Sequence, residues 1–521
     1  MARSSRMRLM RPINGGPNAP IPGSFSPGAG GGVVPVLPTP VLLEAFESLT
    51  GFTIGGNPVS SIDATTKLRG AGAIRLEGRG TGTTMTLTKS EGTIDLAADD
   101  VLVWATHVEK PTIDAYAANI QIERGGNGTY YGPGAAGGRP AMLYNGNLGT
   151  TGFRFEAATV PEFGCALGPA VTNVRARDDF GVTGIGTGLN PVIRHAGLWK
   201  TKAFPGTVVL TNDDAMASFL ANVAPALDAA GIPMSHYLPW EQVEAGAAGK
   251  ASKATYQARY AKGDDICLDG HPLDQSVTTY ANPDAWLAKM AEGDQWLVNN
   301  GWTRGRGHTT FPNADKAILP ATKIVAAVTA NGTTTLAVTS KSAGTIANGQ
   351  SVYGYLVPAG TVVVNAADQA NPILNNPIPA GTPKVTFIDE TGVWAVGQAQ
   401  AKLAASKFWK SATTGVRGSG QDNVMFTRFG VPQPFDLWRK SHTDLSWAAA
   451  QPEYDRVVAT GGTLIPLFHG SYAGATGLDT PPEFFTAGMI PWAAPLVAAG
   501  KLQFLTLSQW WARDGGATVP A

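Results

Sequence analysis

Two adjacent carboxylates, Asp213 and Asp214, stand where an apolar run ends. Residues 211–214 read T-N-D-D and directly follow the apolar residues 208–210. Side chains of neighbouring residues on an extended chain point in different directions, so one carboxylate can bind a metal ion while the other acts as a base. Parallel α/β folds build their sites where strands end. An Asp-Asp pair is also common in plain turns and helix caps, and both interpretations stay open here.

Two histidines occupy comparable positions. His271 follows the short apolar run 266–268, on a turn marked by Gly270 and Pro272. His469 ends the continuous apolar run that begins at residue 463. Imidazole is a common neutral metal ligand, and at the end of a buried strand it is well placed to act as a general acid. Each histidine alone is equally compatible with a loop residue that makes a local hydrogen bond.

Taken in order, these segments resemble the motifs of the polysaccharide deacetylase family, which are carbohydrate esterases. V-V-L-T-N-D-D at 208–214, followed by G-I-P at 231–233, resembles the family's first motif, a strand ending T-F-D-D-G and then G-I-P-A-T after a helix. Gly270 and His271 match the start of H-x-x-x-H, and T-T-F-P-N at 309–313 resembles F-x-Y-P-x-G. L-F-H at 467–469 resembles the late L-x-H motif, and residues 502–510 resemble the closing strand. The match spans residues 205–320 and 391–521.

The resemblance implies a distorted (β/α) barrel with its site at the carboxyl ends of the strands. The implied reaction is metal-dependent removal of an N-acetyl group from a polysaccharide, which yields acetate and a deacetylated amino sugar. The implied metal is zinc, with manganese, cobalt or nickel as alternatives. The implied roles are Asp213 as base, His469 as general acid, Asp214, His271 and Gln275 as metal ligands, and Phe311, Pro312, Asn313 and Trp510 as substrate contacts.

Four positions depart from the family pattern. Gln275 stands where the family has its second metal-binding histidine, and a neutral amide oxygen is a weaker zinc ligand than imidazole. Asn212 replaces the usual aromatic residue, Ala215 replaces glycine, and Thr310 stands where some members carry arginine. These changes weaken the expected metal affinity. Two alternatives therefore remain, a barrel that only binds glycan and a purely structural component.

The rest of the chain is predicted to form further modules. Residues 1–40 are rich in glycine and proline and predict an arm that is either disordered or ordered by a partner. Residues 41–204 contain short period-two runs between turn residues, which predict a β-sandwich of jelly-roll type. Tyr130 and Tyr131, in a Gly-rich loop, are candidates for stacking on sugars. From residue 205 onward, strand-like runs alternate with helical stretches at 217–230, 283–299 and 393–409, and residues 321–390 predict a small inserted β module.

Charge and hydropathy exclude some partners. The chain has 39 basic and 39 acidic residues without long basic runs, so no nucleic-acid footprint is expected. No apolar run is long enough to span a bilayer. Residues 12–32 lack the apolar stretch of a signal peptide, and Cys165 and Cys267 are expected to be buried hydrophobes.

The combined features resemble a minor tail or tail-tip protein of a bacteriophage. This resemblance implies a virion protein that acts outside the cell and is released by lysis rather than by a signal peptide. Its partners would be a bacterial surface glycan or peptidoglycan and, through the N-terminal arm, other tail proteins. Self-association into a homo-oligomer is left open.

Overall fold

The structure is a computed structural model of the chain. It describes residues 37–56, 58–77, 84–109, 116–124, 130–131, 143–144, 153–163, 171–180, 192–270, 280, 282–310, 323–354, 357–358, 360–382, 384–388, 403, 405–406, 408–416, 424–431, 434–435, 437–471 and 479–520. Most of the predicted arm and Cys165 lie outside these ranges.

The first module is a two-sheet β-sandwich. Its strands are β1 (Val41–Glu44), β2 (Phe52–Gly55), β3 (Val59–Asp63), β4 (Ala73–Glu77), β5 (Thr84–Ile94), β6 (Asp100–Glu109), β7 (Tyr116–Arg124), β8 (Tyr130–Tyr131), β9 (Leu143–Tyr144), β10 (Arg154–Thr159), β11 (Val171–Phe180) and β12 (Val192–Lys202). One antiparallel sheet has the order β10-β6-β12-β4-β3 with β1 added to β12, and the other has β2-β5-β11-β7-β8 with β9 added to β7. A 3₁₀-helix, Val160–Phe163, follows β10.

The period-two pattern explains why these segments are strands. In β4, Ile74 and Leu76 point into the core between the sheets, while Ala73 packs on the opposite face. The segment A-I-R-L-E at 73–77, one of the period-two runs of residues 41–204, forms β4. Tyr130 and Tyr131 form strand β8, paired antiparallel with β7, so the loop expected for them is wrong.

The second module begins with β13 (Gly206–Val208), β14 (Thr211–Asn212), β15 (Ser235–Leu238), β16 (Asp265–Leu268) and β17 (His308–Thr310). An insertion follows, with β18 (Lys323–Thr329), β19 (Thr333–Thr335), β20 (Ala337–Lys341), β21 (Ser351–Gly354), β22 (Val363–Asn365), β23 (Ile373–Ile378) and β24 (Lys384–Ile388). The insertion forms two small antiparallel sheets, β20-β18-β24-β21 and β19-β23-β22, around one apolar core. The chain then continues with β25 (Ser411–Val416), β26 (Leu437–Ser441), β27 (Thr463–Leu464), β28 (Pro466–Phe468) and β29 (Leu502–Phe504).

A closed parallel barrel is the centre of the second module. Its strand order is β14-β15-β16-β17-β25-β26-β28, and β13 continues the first strand toward its amino end between β27 and β29. The helices are α1 (Ala217–Asn222), α2 (Ala224–Ala229), α3 (Trp240–Ala245), α4 (Lys253–Lys262), α5 (Pro283–Asn299), α6 (Trp447–Thr460), α7 (Ile490–Ala498) and α8 (Leu507–Trp510). π-Helical segments cover Phe484–Met489 and Trp511–Gly515.

Most of the predicted helices can be compared with these bounds. The helix predicted over 283–299 is confirmed. The helix predicted over 217–230 is divided at Val223, because Pro225 has no backbone N–H to continue the ladder of α1 into α2. Residues 502–510 are not one strand, since Thr506 caps helix α8. Most of the helix predicted over 393–409 lies outside the described residues.

The sandwich contacts the barrel through an aromatic cluster. Phe155 and Trp199, on the outer face of one sheet, pack edge-on against Phe429 at centroid distances of 5.7 and 5.5 Å. Phe204, two residues before β13, and Phe426 complete the cluster. Since β13 begins here and ends further into the barrel, the sandwich lies at the amino ends of the barrel strands.

The architecture is therefore multidomain and β-rich, with a sandwich and a parallel-sheet barrel. The deacetylase type of the barrel remains a prediction. Among the described helices, none combines the length and the apolar composition needed to cross a membrane.

Candidate active site at the carboxyl end of the barrel

Asp213 follows β14 directly and is held by a buried ion pair. Its backbone N–H donates to the Phe468 carbonyl over 2.9 Å, which continues the pairing between β14 and β28. Arg439 of β26 donates from one guanidinium nitrogen to both carboxylate oxygens of Asp213, over 2.8 and 2.7 Å. Both side chains are more than nine-tenths buried. A charged pair this deep in the barrel keeps the carboxylate in a single orientation.

The carboxylate of Asp213 stabilises the charged form of Arg439. Burial by itself would lower the pKa of the guanidinium, but the neighbouring carboxylate outweighs burial and raises this pKa above its usual value. Arg439 also lies over the ring of Tyr237, 5.3 Å from its centroid. No sequence motif marks Arg439, which lies with Lys440 in the otherwise strand-like L-W-R-K-S of β26.

Asp214 occupies a strained turn beside His469. Asp214 and Ala215 have φ angles of 61° and 54°, in the left-handed region that non-glycine residues avoid. Such a residue costs on the order of 1–3 kcal/mol. The turn is held because the Ala215 carbonyl accepts from the Ala251 N–H over 2.7 Å. Asp214 Oδ2 lies 3.8 Å from His469 Nε2, and both side chains are partly exposed.

Asn212 ties the end of β28 to the end of β14. Its side-chain amide donates to the carbonyls of Phe468, over 3.3 Å, and His469, over 2.8 Å. Asn212 stands where the family has an aromatic residue. In this chain the polar side chain fixes the backbone at His469, the residue that the sequence predicts to be the general acid.

A third carboxylate, Asp269, reaches the same end of the barrel from β16. Asp269 is buried and accepts from the Thr310 hydroxyl over 2.7 Å, and the same hydroxyl accepts from the Gly270 N–H over 3.0 Å. Trp286 of α5 donates to the Gly270 carbonyl over 3.1 Å. Thr310, which stands where some family members carry arginine, therefore joins the ends of β16 and β17 immediately before His271.

Two titratable groups in the barrel interior below these residues, Tyr237 and Cys267, are protonated near neutral pH. Burial raises the pKa values of the Tyr237 phenol and the Cys267 thiol well above their usual ranges. Cys267 is therefore a neutral core residue and not a nucleophile near neutral pH.

The predicted site residues fall into three groups. The structure brings Asp213, Asp214 and His469 together at one end of the barrel. Trp510 is fully buried and donates to the Thr427 hydroxyl over 3.2 Å, so it packs the barrel interior, which differs from the substrate contact expected for it. The remaining predicted residues lie outside the described ranges, and they are His271, Gln275, Phe311, Pro312 and Asn313.

Only part of the predicted metal site can be examined. Within the described part of the chain, no three His, Cys, Asp or Glu side chains are grouped closely enough to hold a metal ion. Asp214 is the predicted ligand that this part contains.

Comparison with known proteins identifies no family. No protein-family model matches the chain, and no curated protein matches it. Solved structures match with low scores. A tailspike protein of bacteriophage CBA120 is 14% identical over 30% of this chain and 20% of its own, with a TM-score of 0.20. A xylan-binding domain of Paenibacillus barcinonensis is 12% identical over 31% of this chain and 96% of its own, with a TM-score of 0.22. An exo-β-agarase is 9% identical over 32% of this chain and 25% of its own, with a TM-score of 0.23.

Proposed function

We propose that the barrel is a metal-dependent deacetylase that acts on N-acetylated bacterial polysaccharide or peptidoglycan. The observation that carries the proposal is the grouping of Asp213, Asp214 and His469 at the carboxyl end of a parallel barrel. A base, a ligand-type carboxylate and an imidazole are the groups that amide hydrolysis needs. Their order along the chain is also the order in the family that the sequence resembles.

The side chains of this chain have separate tasks in that reaction. Arg439 orients the Asp213 carboxylate, which accepts a proton from the attacking water. His469, in its protonated imidazolium form, donates the Nε2 proton to the leaving amine nitrogen as the C–N bond breaks and is left as a neutral imidazole. The acyl carbon keeps the water oxygen, so the products are acetate and a free amino sugar.

The donor types fit a divalent metal ion. Asp214 supplies a carboxylate at the mouth of the barrel, and His271 follows Gly270, whose backbone is fixed at the same end. With Gln275 these residues would hold the ion, with the amide as the weakest ligand. When bound, the ion would polarise the acetyl carbonyl and lower the pKa of the attacking water.

Acetate release from N-acetylated chito-oligosaccharides and from peptidoglycan tests the proposal. The full chain in zinc- or manganese-supplemented buffer should release acetate, and a chelator should abolish the release. Asp213→Asn should lower the rate roughly 10²- to 10⁴-fold, because the base is removed. Lys202→Ala is the control, since its exposed pair with Asp99 lies on the sandwich, at the other end of the barrel. Absence of acetate release from the supplemented wild-type chain on both substrates would refute the proposal.

A second candidate is a barrel that binds glycan without hydrolysing it. Two observations favour it. Gln275 stands where the resembled family has a metal-binding histidine. Arg439 donates hydrogen bonds to both carboxylate oxygens of Asp213, the predicted base. This candidate predicts glycan binding that survives Asp213→Ala and chelation, measured by calorimetry. Loss of binding in either case would contradict it.

We also propose that the chain is a protein of a bacteriophage tail. The sandwich covers the amino end of the barrel and leaves the carboxyl end directed away from it. A chain attached to a particle through its N-terminal part would therefore present the proposed site outward. Antibodies against the chain should label tail tips of purified virions in electron microscopy, and the absence of labelling would contradict this setting.

A further inference from the structure

The ring of His469 is fixed on the side that faces away from Asp214. His469 Nδ1 lies 3.2 Å from the Thr443 hydroxyl, and Nε2 is the nitrogen nearest to Asp214. A neutral imidazole has one N–H and one acceptor nitrogen. The partner of Nδ1 therefore decides which nitrogen carries the proton.

A second hydroxyl sets the direction of the hydrogen bond between Thr443 and His469. Ser441 Oγ donates to Thr443 Oγ1 over 2.8 Å, and Ser441 Oγ in turn accepts from the Thr443 backbone N–H over 3.3 Å. Because Thr443 Oγ1 accepts from Ser441, its own hydrogen does not point to Ser441 and is available to His469 Nδ1, which lies 3.2 Å away. Nδ1 is then the acceptor, and the proton of the neutral ring resides on Nε2.

The turn that presents Thr443 is anchored on both sides. His442 is fully buried, contacts the ring of Phe468 and bonds through Nδ1 to the Tyr454 hydroxyl over 3.2 Å. The His442 carbonyl accepts from the Thr480 hydroxyl over 3.1 Å. Asp444, with a φ of 57°, closes the turn and donates its N–H to the Asp479 carbonyl over 3.0 Å. These contacts leave the Thr443 hydroxyl little freedom to move from Nδ1.

We infer that Thr443 is a positioning residue that, with Ser441, holds His469 in the tautomer whose N–H points into the mouth of the barrel. The distance of 3.8 Å between Nε2 and Asp214 is too long for a hydrogen bond, so this N–H is not committed to the carboxylate. This N–H can donate a hydrogen bond to a leaving group or to a bound sugar. The catalytic consequence rests on the proposed function, whereas the tautomer does not.

Nitrogen NMR of the full chain with ¹⁵N-labelled histidine tests the tautomer directly. The seven histidines limit overlap, and His469→Gln assigns the signals by their disappearance. On the alkaline plateau of the shifts, wild-type His469 should show an acceptor-type Nδ1 and a protonated Nε2. In Thr443→Val, which keeps the shape but removes the hydroxyl, the two shifts should move toward each other. Thr443→Ser should restore the wild-type pattern.

Two NMR outcomes overturn the inference. One is a protonated Nδ1 in the wild-type chain, and the other is a Thr443→Val spectrum identical to the wild-type spectrum. In the acetate assay, Thr443→Val should lower kcat at least about tenfold, because the His469 ring loses the contact that directs Nε2 toward the leaving amine, and Thr443→Ser should restore most of it. If no chain releases acetate, the proposed function fails while the NMR result still decides the tautomer.

Discussion

The two ends of the barrel differ in what holds them together. At the amino end, aromatic rings of the sandwich and the barrel interlock around Phe429. At the carboxyl end, a buried ion pair, a strained turn and partly exposed polar groups stand side by side. The amino end packs the barrel against the sandwich, whereas the carboxyl end carries the strained turn and the candidate site. Strand direction separates these two ends.

Two buried basic side chains, those of His308 and Arg439, have pKa values that are shifted in opposite directions. His308, at the start of β17, bonds through Nδ1 to the Ser411 hydroxyl over 2.7 Å and contacts Trp511. Burial, together with the nearby charge of Lys410, lowers the pKa of His308 to about 3, so its ring is neutral. Arg439 is equally buried, but the charge of Asp213 raises its pKa. A counter-charge, and not burial, therefore distinguishes these two residues.

Arg439→Met should have the largest effect. The substitution leaves the buried Asp213 carboxylate without its partner, which typically costs about 3–5 kcal/mol. We expect that loss in the free energy of unfolding by urea, together with loss of acetate release. Asp213→Asn combined with Arg439→Met should recover part of the stability, because no charge is then left buried. If the single variant Arg439→Met were as stable as the wild type, the buried ion pair would not stabilise the carboxyl end of the barrel.

Phe429→Ala should cost nearly as much stability without affecting the chemistry. Its ring contacts Phe155, Trp199 and Phe426 in the junction, and removal of a buried aromatic ring costs about 3–5 kcal/mol. The acetate rate per folded molecule should stay unchanged at low temperature, since the site lies at the other end. Phe429→Leu is the matched control and should lose less. A fall in the rate at full folding would show that the two ends are coupled.

His308→Gln should change how stability depends on pH. The pKa of His308 is lower in the folded protein, about 3, than the ordinary 6.5, so the unfolded chain binds the proton more readily. Stability from this residue is complete above the unfolded pKa and is lost as the pH falls toward the folded value. Between about pH 7 and about pH 5, the wild-type chain should lose about 2 kcal/mol relative to the variant. Urea unfolding of both chains at the two pH values measures this difference, and parallel curves would contradict it.

Lys253→Ala should have the smallest effect. Lys253 and Glu244 form an exposed pair with a shortest N–O distance of 2.8 Å. Exposed pairs of this kind contribute below about 1 kcal/mol, and salt screens them. The change in unfolding free energy should shrink further at high ionic strength. If Lys253→Ala lost as much unfolding free energy as Arg439→Met, burial would not explain the strength of the ion pair between Arg439 and Asp213.

The candidate site was predictable only where a residue stands at the end of an apolar run. Asp213, Asp214 and His469 were found in this way, because a run of buried strand residues must end where the barrel opens. Arg439 was missed because a charged residue inside a short strand gives no periodic signal. The resemblance of residues 502–510 to the family's closing strand predicts a substrate contact for Trp510, whereas the cap at Thr506 starts a helix in which the Trp510 indole is buried.

The sequence by itself determined the local structure: the alternation that makes β4 a strand, the amphipathic spacing that makes 283–299 a helix, and the polar residues at the ends of apolar runs. The tertiary structure decided which of these ends meet, that Arg439 from a distant strand neutralises Asp213, and that Thr443 faces His469. The physical reason is that periodicity reports only whether a side chain is buried, while its partner is chosen by closing the barrel, which joins residues more than two hundred positions apart along the chain.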